Sequence, residues 1–261
     1  MKVTVREIAI AGVLSAVAVL LAVTQLGFIP FFAGISITIM HVPVIIGAIV
    51  AGPVVGTLIG LIFGVSSLIL AAVAPRSPAD VFFTDPWVSV LPRLFIGLAA
   101  WGAYLLARRM GKKPVLVVGG VALAAIVLAV AYTVARQGIT QVLEPLSVDS
   151  ASGVADAIRW PLIRALSLEA VGLALVAWIM QRVAPFGPEE LAISLGAVAG
   201  TLTNTLLVLT ALTARGYIPG ELALTVGVTN GPAEMVGATV VTVAVVAAWR
   251  QVALRRSGSS V

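Results

Sequence analysis

The chain has 261 residues, of which 60 % are apolar and 10 % are charged, with a formal net charge of +5 and no cysteine. Its mean hydropathy is +1.13. Soluble globular domains are about 45–50 % apolar and about 25 % charged, so this composition excludes a water-soluble enzyme and a disordered chain. We therefore expect one integral membrane domain over residues 1–261.

Eight apolar runs approach or exceed the length that a helix needs to cross a bilayer, which is about 20 residues. They lie at 8–29, 36–51, 54–74, 87–107, 115–135, 161–183, 191–213 and 223–249. The second run is short and contains His41 and Pro43. The first is longer than the hydrophobic region of a signal peptide, so we expect it to remain as a helix. The pattern predicts an all-α integral membrane helical bundle.

The distribution of basic residues predicts the orientation of this bundle. With the N-terminus inside, ten Lys and Arg residues near the span ends lie on the inner side and six lie on the outer side. Basic residues are enriched in cytoplasmic loops, so we expect a multi-pass protein of the plasma membrane with both termini in the cytoplasm. The excess positive charge then reflects topology. No nucleic-acid partner is expected, because the sequence lacks a soluble basic face.

Glycines recur at a spacing of four in the third run. Gly52, Gly56, Gly60 and Gly64 line one face of a helix with hydrogen atoms only, which lets another backbone approach closely. One interpretation is an ordinary contact within the bundle. The other is a docking surface for a second subunit.

Polar residues inside the first four apolar runs are candidates for function, because burying them in a membrane is costly. His41 lies near the outer start of the second run, where it either contacts lipid headgroups or binds a polar ligand. Trp87 and Arg93 lie at the outer end of the fourth run. Trp87 is either an interface anchor or a ligand contact. Arg93 either extends toward the surface or holds an anion, since a guanidinium binds a carboxylate through two hydrogen bonds.

The last two runs carry amides and a carboxyl at membrane depth. Asn204 lies in a hydroxyl-rich segment, where it forms either an interhelical hydrogen bond or a ligand contact. Asn230 and Glu234 are four residues apart and therefore share a helix face. Pro232 between them frees a backbone carbonyl and is able to kink the helix. This combination favours a ligand site over simple packing.

Several catalytic patterns are missing from the sequence. There is no Gly-x-x-x-x-Gly-Lys-Ser/Thr phosphate loop and no Gly-x-Ser-x-Gly elbow. One histidine and no cysteine exclude the usual zinc ligand sets. We therefore expect no enzyme activity, no cofactor and no metal site.

The remaining motifs, taken in order, resemble a known family. They are ITIMHVPVIIG at 37–47, GPxxG at 52–56, GLIFG at 60–64, PRLFIG at 92–97, GTLTNT at 200–205 and TNGPAE at 229–234. This ordered set is similar to the substrate-binding S components of energy-coupling-factor (ECF) vitamin transporters. It most resembles the pantothenate-type branch, over roughly residues 5–110 and 190–250.

The resemblance implies a function and partners. S components capture a vitamin with high affinity near the outer face of the membrane, then associate with a transmembrane T component and two cytoplasmic ATPases. The missing phosphate loop fits this division of labour. Small residues on the first helix mediate docking in the family, and Gly12 and Ala16 match that position. The resemblance implies these substrate-binding residues, from the regions that enclose the ligand in the family: Thr38, His41, Trp87, Arg93, Asn204, Asn230 and Glu234.

The family usually has six helices, whereas eight apolar runs occur here. We therefore expect a six-helix core over 5–110 and 190–250, with an inserted two-helix hairpin at about 115–185. An arginine, two amides and a histidine suit a small anionic ligand with hydroxyl and amide groups. Pantothenate is the best candidate among the vitamins that have these features.

Two other classes of function stay open at this point. A stand-alone secondary carrier or facilitator for a small organic anion would use Glu169 or Glu234 for proton coupling. A membrane-embedded lipid enzyme is disfavoured, because the sequence lacks clustered acidic residues and histidines.

Overall fold

The fold is known from a computed structural model, which describes residues 4–24, 26–30, 36–75, 77–114, 116–117, 119, 121 and 187–258. The backbone divides into two compact units, one formed by Met1–Gly111 with Gly187–Val261 and the other by Lys112–Phe186. The predicted spans at 115–135 and 161–183, the inserted hairpin and Glu169 fall almost entirely outside the described residues. All elements named below belong to the first unit.

Helices dominate the first unit, and a short strand hairpin follows the first of them. The elements are α1 (Val5–Thr24), β1 (Phe28–Pro30), β2 (Ser36–Thr38), α2 (Val42–Ala51), α3 (Pro53–Val73), a 3₁₀ helix (Pro78–Thr84), α4 (Pro86–Ser89), α5 (Leu91–Met110), α6 (Pro188–Ala214) and α7 (Gly220–Gly258).

Five helices in the described part of the chain are long and apolar enough to cross a membrane. They are Val5–Thr24, Pro53–Val73, Pro86–Met110, Pro188–Ala214 and Gly220–Gln251, of which the third joins α4 to α5. They correspond to the predicted spans at 8–29, 54–74, 87–107, 191–213 and 223–249. The prediction of an all-α membrane bundle is confirmed.

The predicted span at 36–51 is wrong in its length. Only Val42–Ala51 is helical, and ten residues are too few to cross a bilayer. Ser36–Thr38 form a strand instead. All residues of α2 from Val42 to Ile49 are buried. The segment is therefore apolar because other helices enclose it, and hydropathy alone does not distinguish that environment from lipid.

An antiparallel hairpin replaces the predicted end of the first span. β1 pairs with β2 in the register Phe28 to Thr38, Ile29 to Ile37 and Pro30 to Ser36. α1 ends at Thr24, so the prediction that the helix reaches residue 29 is wrong. Where the chain enters this hairpin, the Ile39 N–H donates a 2.9 Å hydrogen bond to the Gly27 carbonyl oxygen.

The glycines of α3 are buried against α5. A Cβ at Gly56 would lie 3.1 Å from Gly97 Cα, and one at Gly64 would lie 2.8 Å from backbone atoms just before α5. Gly60 faces the Arg93 carbonyl group even more closely. We call Gly56, Gly60, Gly64 and Gly97 the glycine seam. Because the seam lies inside the bundle, the packing interpretation of this spacing is correct and the docking interpretation is wrong.

Gly52 is a joint between α2 and α3 and does not belong to the seam. Its φ of +93° is a conformation that L side chains rarely adopt. Pro53 then begins α3, where a missing N–H costs nothing. This joint lies in the gap between the predicted runs 36–51 and 54–74.

A second close contact holds the other side of α5. A Cβ at Gly196 would lie 2.9 Å from the Ala100 carbonyl oxygen, and one at Gly200 would lie 3.2 Å from the Ala100 side chain. α5 therefore packs closely against α3 on one side and against α6 on another.

Charged groups join three helices at the end of α5. Glu189 of α6 accepts a 2.6 Å hydrogen bond from the Tyr104 hydroxyl and pairs with Arg108 at 3.1 Å. It also pairs with Arg250 of α7, which donates a 2.8 Å hydrogen bond to the Tyr104 oxygen. We call these four residues the ionic cluster. It closes one end of the bundle with charges that are paired within the protein.

We expect Gly60→Ala to destabilise the protein, because a methyl group there would overlap the Arg93 carbonyl, and backbone cannot move aside as a flexible side chain does. Overpacking of this kind costs about 1–3 kcal/mol. The measurement is the midpoint of thermal unfolding in detergent. The matched control is Gly102→Ala on α5, where an added Cβ meets nothing within 4 Å. Equal midpoints for Gly60→Ala and wild type would contradict the glycine seam.

Candidate functional site

A cavity of about 640 Å³ lies among α3, α5, α6 and α7 and reaches β2 and the 3₁₀ helix. Its apolar wall includes Phe63, Leu70, Val208 and Leu209. Its polar lining consists of Thr38, Ser67, Ser77, Asp80, Arg93, Asn204, Thr205, Asn230 and Glu234. The structure therefore gathers five of the seven predicted site residues around one space, although they come from four distant segments of the chain.

Arg93 is a buried cation at the start of α5. Its side chain is 6 % exposed, donates a hydrogen bond to the Val88 carbonyl oxygen and leaves its Nε without a partner. The guanidinium carbon lies 5.5 Å from the ring centre of Phe63 and 5.4 Å from that of Phe83. Both rings attract it through cation–π interactions. No carboxylate in the described part of the chain lies within ion-pair distance of it, so the charge of Arg93 is not neutralised by direct pairing there.

Glu234 of α7 connects the cavity to the strand hairpin. Its Oε1 accepts a 3.0 Å hydrogen bond from the Thr38 N–H, and its Oε2 accepts a 3.3 Å hydrogen bond from the Thr205 hydroxyl. The side chain is buried. A carboxylate has about four acceptor sites, so further hydrogen bonds from the cavity are open to it.

Two amides add neutral polar groups to the same wall. Asn230 lies one helical turn before Glu234, and both line the cavity as their spacing predicted. α7 continues through Pro232 without a break. Asn204 of α6 is half-buried, and its Oδ1 has no partner in the described residues. An amide in this state offers both a donor and an acceptor to a ligand.

His41 lies in the protein core, away from this cavity's lining. The ring is fully buried before α2, and its Nε2 lies 3.0 Å from the Thr201 hydroxyl oxygen. Thr201 donates its only proton to the Ala197 carbonyl at 2.9 Å. The hydroxyl therefore accepts from His41, which places the imidazole proton on Nε2. The headgroup interpretation of His41 is wrong because the ring is enclosed, and the structure does not bring it to the cavity.

Trp87 is also absent from the cavity wall. Its side chain is 61 % exposed, which fits the alternative interpretation of an interface anchor. The reason is local, because α4 places Val88 and Ser89 inward and leaves the preceding residue outside. The sequence locates Trp87 next to the predicted site along the chain, but it does not show which way the side chain points from α4.

Asp85 fastens the loop before α4 to the turn between α6 and α7. Its Oδ1 accepts from the Trp87 N–H at 3.0 Å, and its Oδ2 accepts from Arg215 at 2.6 Å and from the Tyr217 hydroxyl at 3.1 Å. Phe82 stacks on Tyr217 with ring centres 5.0 Å apart. The hydrogen bond from the Trp87 N–H is the largest of the effects that hold the pKa of Asp85 below its usual range. The hydrogen bonds from Arg215 and Tyr217 lower the pKa further, whereas burial opposes them. We call this group the Asp85 latch.

Sequence reasoning missed the latch and the aromatic pair around Arg93. The segment between the predicted spans 54–74 and 87–107 received no structural prediction, although Ser77 and Asp80 show the spacing of a capping box and are hydrogen-bonded as one. Phe63 and Phe83 carry no sequence signal for a cation–π contact, because nothing in their spacing relates them to Arg93. Aromatic residues in a membrane helix are expected anywhere.

A comparison with protein families gives one match over nearly the whole chain. The family described as "ECF transporter, substrate-specific component" matches residues 6–246. This range contains the cavity residues and both sides of the glycine seam. No curated protein matches the chain.

We expect Asp85→Asn to lower the midpoint of thermal unfolding in detergent near neutral pH. Because the native pKa is lowered, the contribution of the carboxylate is complete above the pKa of an unfolded aspartate, about 4. It is lost as the pH falls through the lower native pKa. The difference in midpoint between wild type and variant should therefore be constant from about pH 8 to about pH 5 and shrink toward about pH 3. Glu221→Gln, which changes an exposed carboxyl, is the control. A difference that persists at low pH would contradict the latch.

Proposed function

The chain belongs to the family of substrate-specific components of ECF transporters, and we propose that it captures a small organic monoanion for ATP-driven import. Members of this family are subunits of membrane transporters that take up small molecules. Pantothenate is our best candidate for the ligand, because it combines one carboxylate with hydroxyl and amide groups.

The unpaired charge of Arg93 is the observation that carries this proposal. A buried cation without a counter-charge is unfavourable in a folded protein, and the Nε of Arg93 still lacks an acceptor. A carboxylate that enters the cavity supplies both the charge and the acceptor. Guanidinium groups bind carboxylates in a planar, two-point geometry.

The rest of the cavity suits a small polar molecule with an apolar part. Its volume of about 640 Å³ is within the range of about 300–1,000 Å³ that is typical of small-molecule sites. Asn204, Asn230 and Thr205 offer hydrogen bonds to hydroxyl and amide groups. Phe63 and the aliphatic residues of α6 contact the hydrocarbon part.

The exposed face of α1 supports docking to a T component. Gly12 and Ala16 are exposed and one turn apart, and a Cβ at Gly12 would meet nothing within 4 Å. Ala11, Ser15, Ala18 and Ala22, on the other face of the helix, are buried in the bundle. A smooth strip of small residues lets a partner helix approach closely in the membrane. We propose that this strip contacts the T component, that the associated ATPases supply the energy, and that both termini are cytoplasmic.

The experiment that tests capture is thermal stabilisation of the detergent-purified chain by a panel of B vitamins. A ligand that binds only the folded state raises the unfolding midpoint in a saturable way. We expect one anionic vitamin to produce such a shift, and pantothenate is the best candidate. No shift across the panel in a well-folded sample would refute vitamin capture.

We expect Arg93→Ala to weaken binding of the vitamin identified by that panel while the protein still folds. Hydrogen bonds to charged groups contribute about 1.5–3 kcal/mol, which corresponds to a loss of about 10- to 150-fold in affinity. Isothermal titration measures the change. Arg109→Ala is the matched control, since it removes an exposed arginine from the same helix. Unchanged affinity in Arg93→Ala would remove this residue from the site.

We expect Gly12→Leu to keep vitamin binding but to block uptake, because the larger side chain separates α1 from its partner helix. The measurement is uptake of radiolabelled vitamin by cells that express the chain together with the T component and both ATPases. Gly102→Leu is the control, because it places the same bulk on an open face of α5. Normal uptake by Gly12→Leu would refute the assigned surface.

The same cells test the secondary carrier. If uptake continues without the ATPases and stops when the proton gradient is dissipated, the chain is a stand-alone carrier and this proposal is wrong.

A further inference from the structure

The charges that line the cavity are unevenly distributed. Arg93 is the one cation in the described lining, and it lies between Phe63 of α3 and Phe83 of the 3₁₀ helix. Two carboxylates, Glu234 and Asp80, line other parts of the space. Neither lies within 4.0 Å of the Arg93 guanidinium. The described lining therefore has one cation that attracts an anionic group of a ligand and two carboxylates that repel such a group.

Glu234 has a hydrogen-bond partner on each of its two carboxyl oxygens. The backbone N–H of Thr38 can only donate, and it donates to Oε1, while the Thr205 hydroxyl donates to Oε2. With a donor on each oxygen, the carboxylate has its remaining acceptor sites toward the cavity, where it is buried and screened little by water. A ligand group that meets it is favourable only if it donates a hydrogen bond.

We propose that Glu234 sets the specificity of the site against a second negative charge. The ligand carries a single anionic group, which Arg93 holds, and its other end presents N–H or O–H donors to Glu234. Phosphate esters of the same molecule are excluded. This inference rests on the proposed capture function and adds to it the chemistry of the far end of the ligand.

The physical basis is repulsion in a confined space. A phosphate ester adds a charge of about −1.5 to −2 at neutral pH, and the described lining has no second cation to receive it. Placing like charges together across a binding interface costs several kcal/mol. The same carboxylate attracts the hydroxyl or amide donor of the unesterified molecule, so one residue produces both the attraction and the rejection.

Matched pairs of a vitamin and its phosphate ester test the proposal on the full-length purified chain. The pairs are pantothenate with 4′-phosphopantothenate and ascorbate with ascorbate 2-phosphate, because each of these vitamins is a monoanion that also carries hydroxyl groups. Isothermal titration measures both members of each pair. We expect the wild-type protein to bind one free acid about 100-fold more tightly than its ester.

We expect Glu234→Gln to reduce this ratio at least about tenfold, chiefly because the ester binds better when the charge is removed. Glutamine keeps the acceptor oxygen for Thr38, so the hairpin contact is retained in part. Glu234→Asp keeps the charge and should keep the exclusion. Glu221→Gln removes an exposed carboxylate from the same helix, outside the cavity lining, and should leave the ratio unchanged.

The possible results separate this inference from the function on which it rests. If the wild-type protein binds a free acid and its ester equally, the charge selection is wrong and capture stands. If Glu234→Gln is folded and still excludes the ester as wild type does, another group is responsible and the assignment to Glu234 is wrong. If no member of any pair binds, both the capture function and this inference are overturned.

Discussion

The close backbone approach between α3 and α5 is the constraint on which the site depends. At Gly60 the two helices meet against the carbonyl group of Arg93 itself. The main chain of Arg93 is thus fixed by the glycine seam, while its guanidinium is fixed by the Val88 carbonyl and two aromatic rings. In a membrane the hydrophobic effect does not drive helices together, so close packing through small residues takes its place. Here that packing also positions a charge, because Arg93 contacts Gly60 through its carbonyl group and lines the cavity with its side chain.

The opposite wall is built by hydrogen bonds between segments far apart in sequence. Glu234 accepts hydrogen bonds from Thr38 of the hairpin and from Thr205 of α6. His41, three residues after Thr38, is hydrogen-bonded to Thr201 of α6. The hairpin side of α2 is therefore attached to α6 and α7 at two points. One of them, Glu234, is also open to the cavity. Glu234 is therefore shared between the hairpin contact and the cavity lining.

The sequence predicted the helices better than the connections, for a physical reason. Membrane helices are long and continuously apolar, so composition alone located α1, α3, α5, α6 and α7. α2 was misjudged because burial by protein and burial by lipid produce the same hydropathy. For the candidate site, the cost of polar groups at membrane depth singled out Arg93, Asn204, Asn230 and Glu234, which line one cavity. The same argument also selected His41 and Trp87, since it gives depth but not direction. The Asp85 latch and the two phenylalanines around Arg93 depend on contacts across the fold, which no local pattern contains.

The state of the buried polar groups distinguishes structural charges from those available to a ligand. At one end of α5, Glu189 is satisfied by Tyr104, Arg108 and Arg250. Near the other end, Asp85 is satisfied by Trp87, Arg215 and Tyr217. Between these ends, Arg93 Nε and Asn204 Oδ1 have no partner within the described residues, and both residues line the same cavity. Folding alone gives no reason to keep a buried cation unpaired where a neutral side chain would fill the space at lower cost. These two unsatisfied groups, which lie in one cavity with a carboxylate, are the basis of our proposal that an anionic ligand with hydrogen-bonding groups completes them.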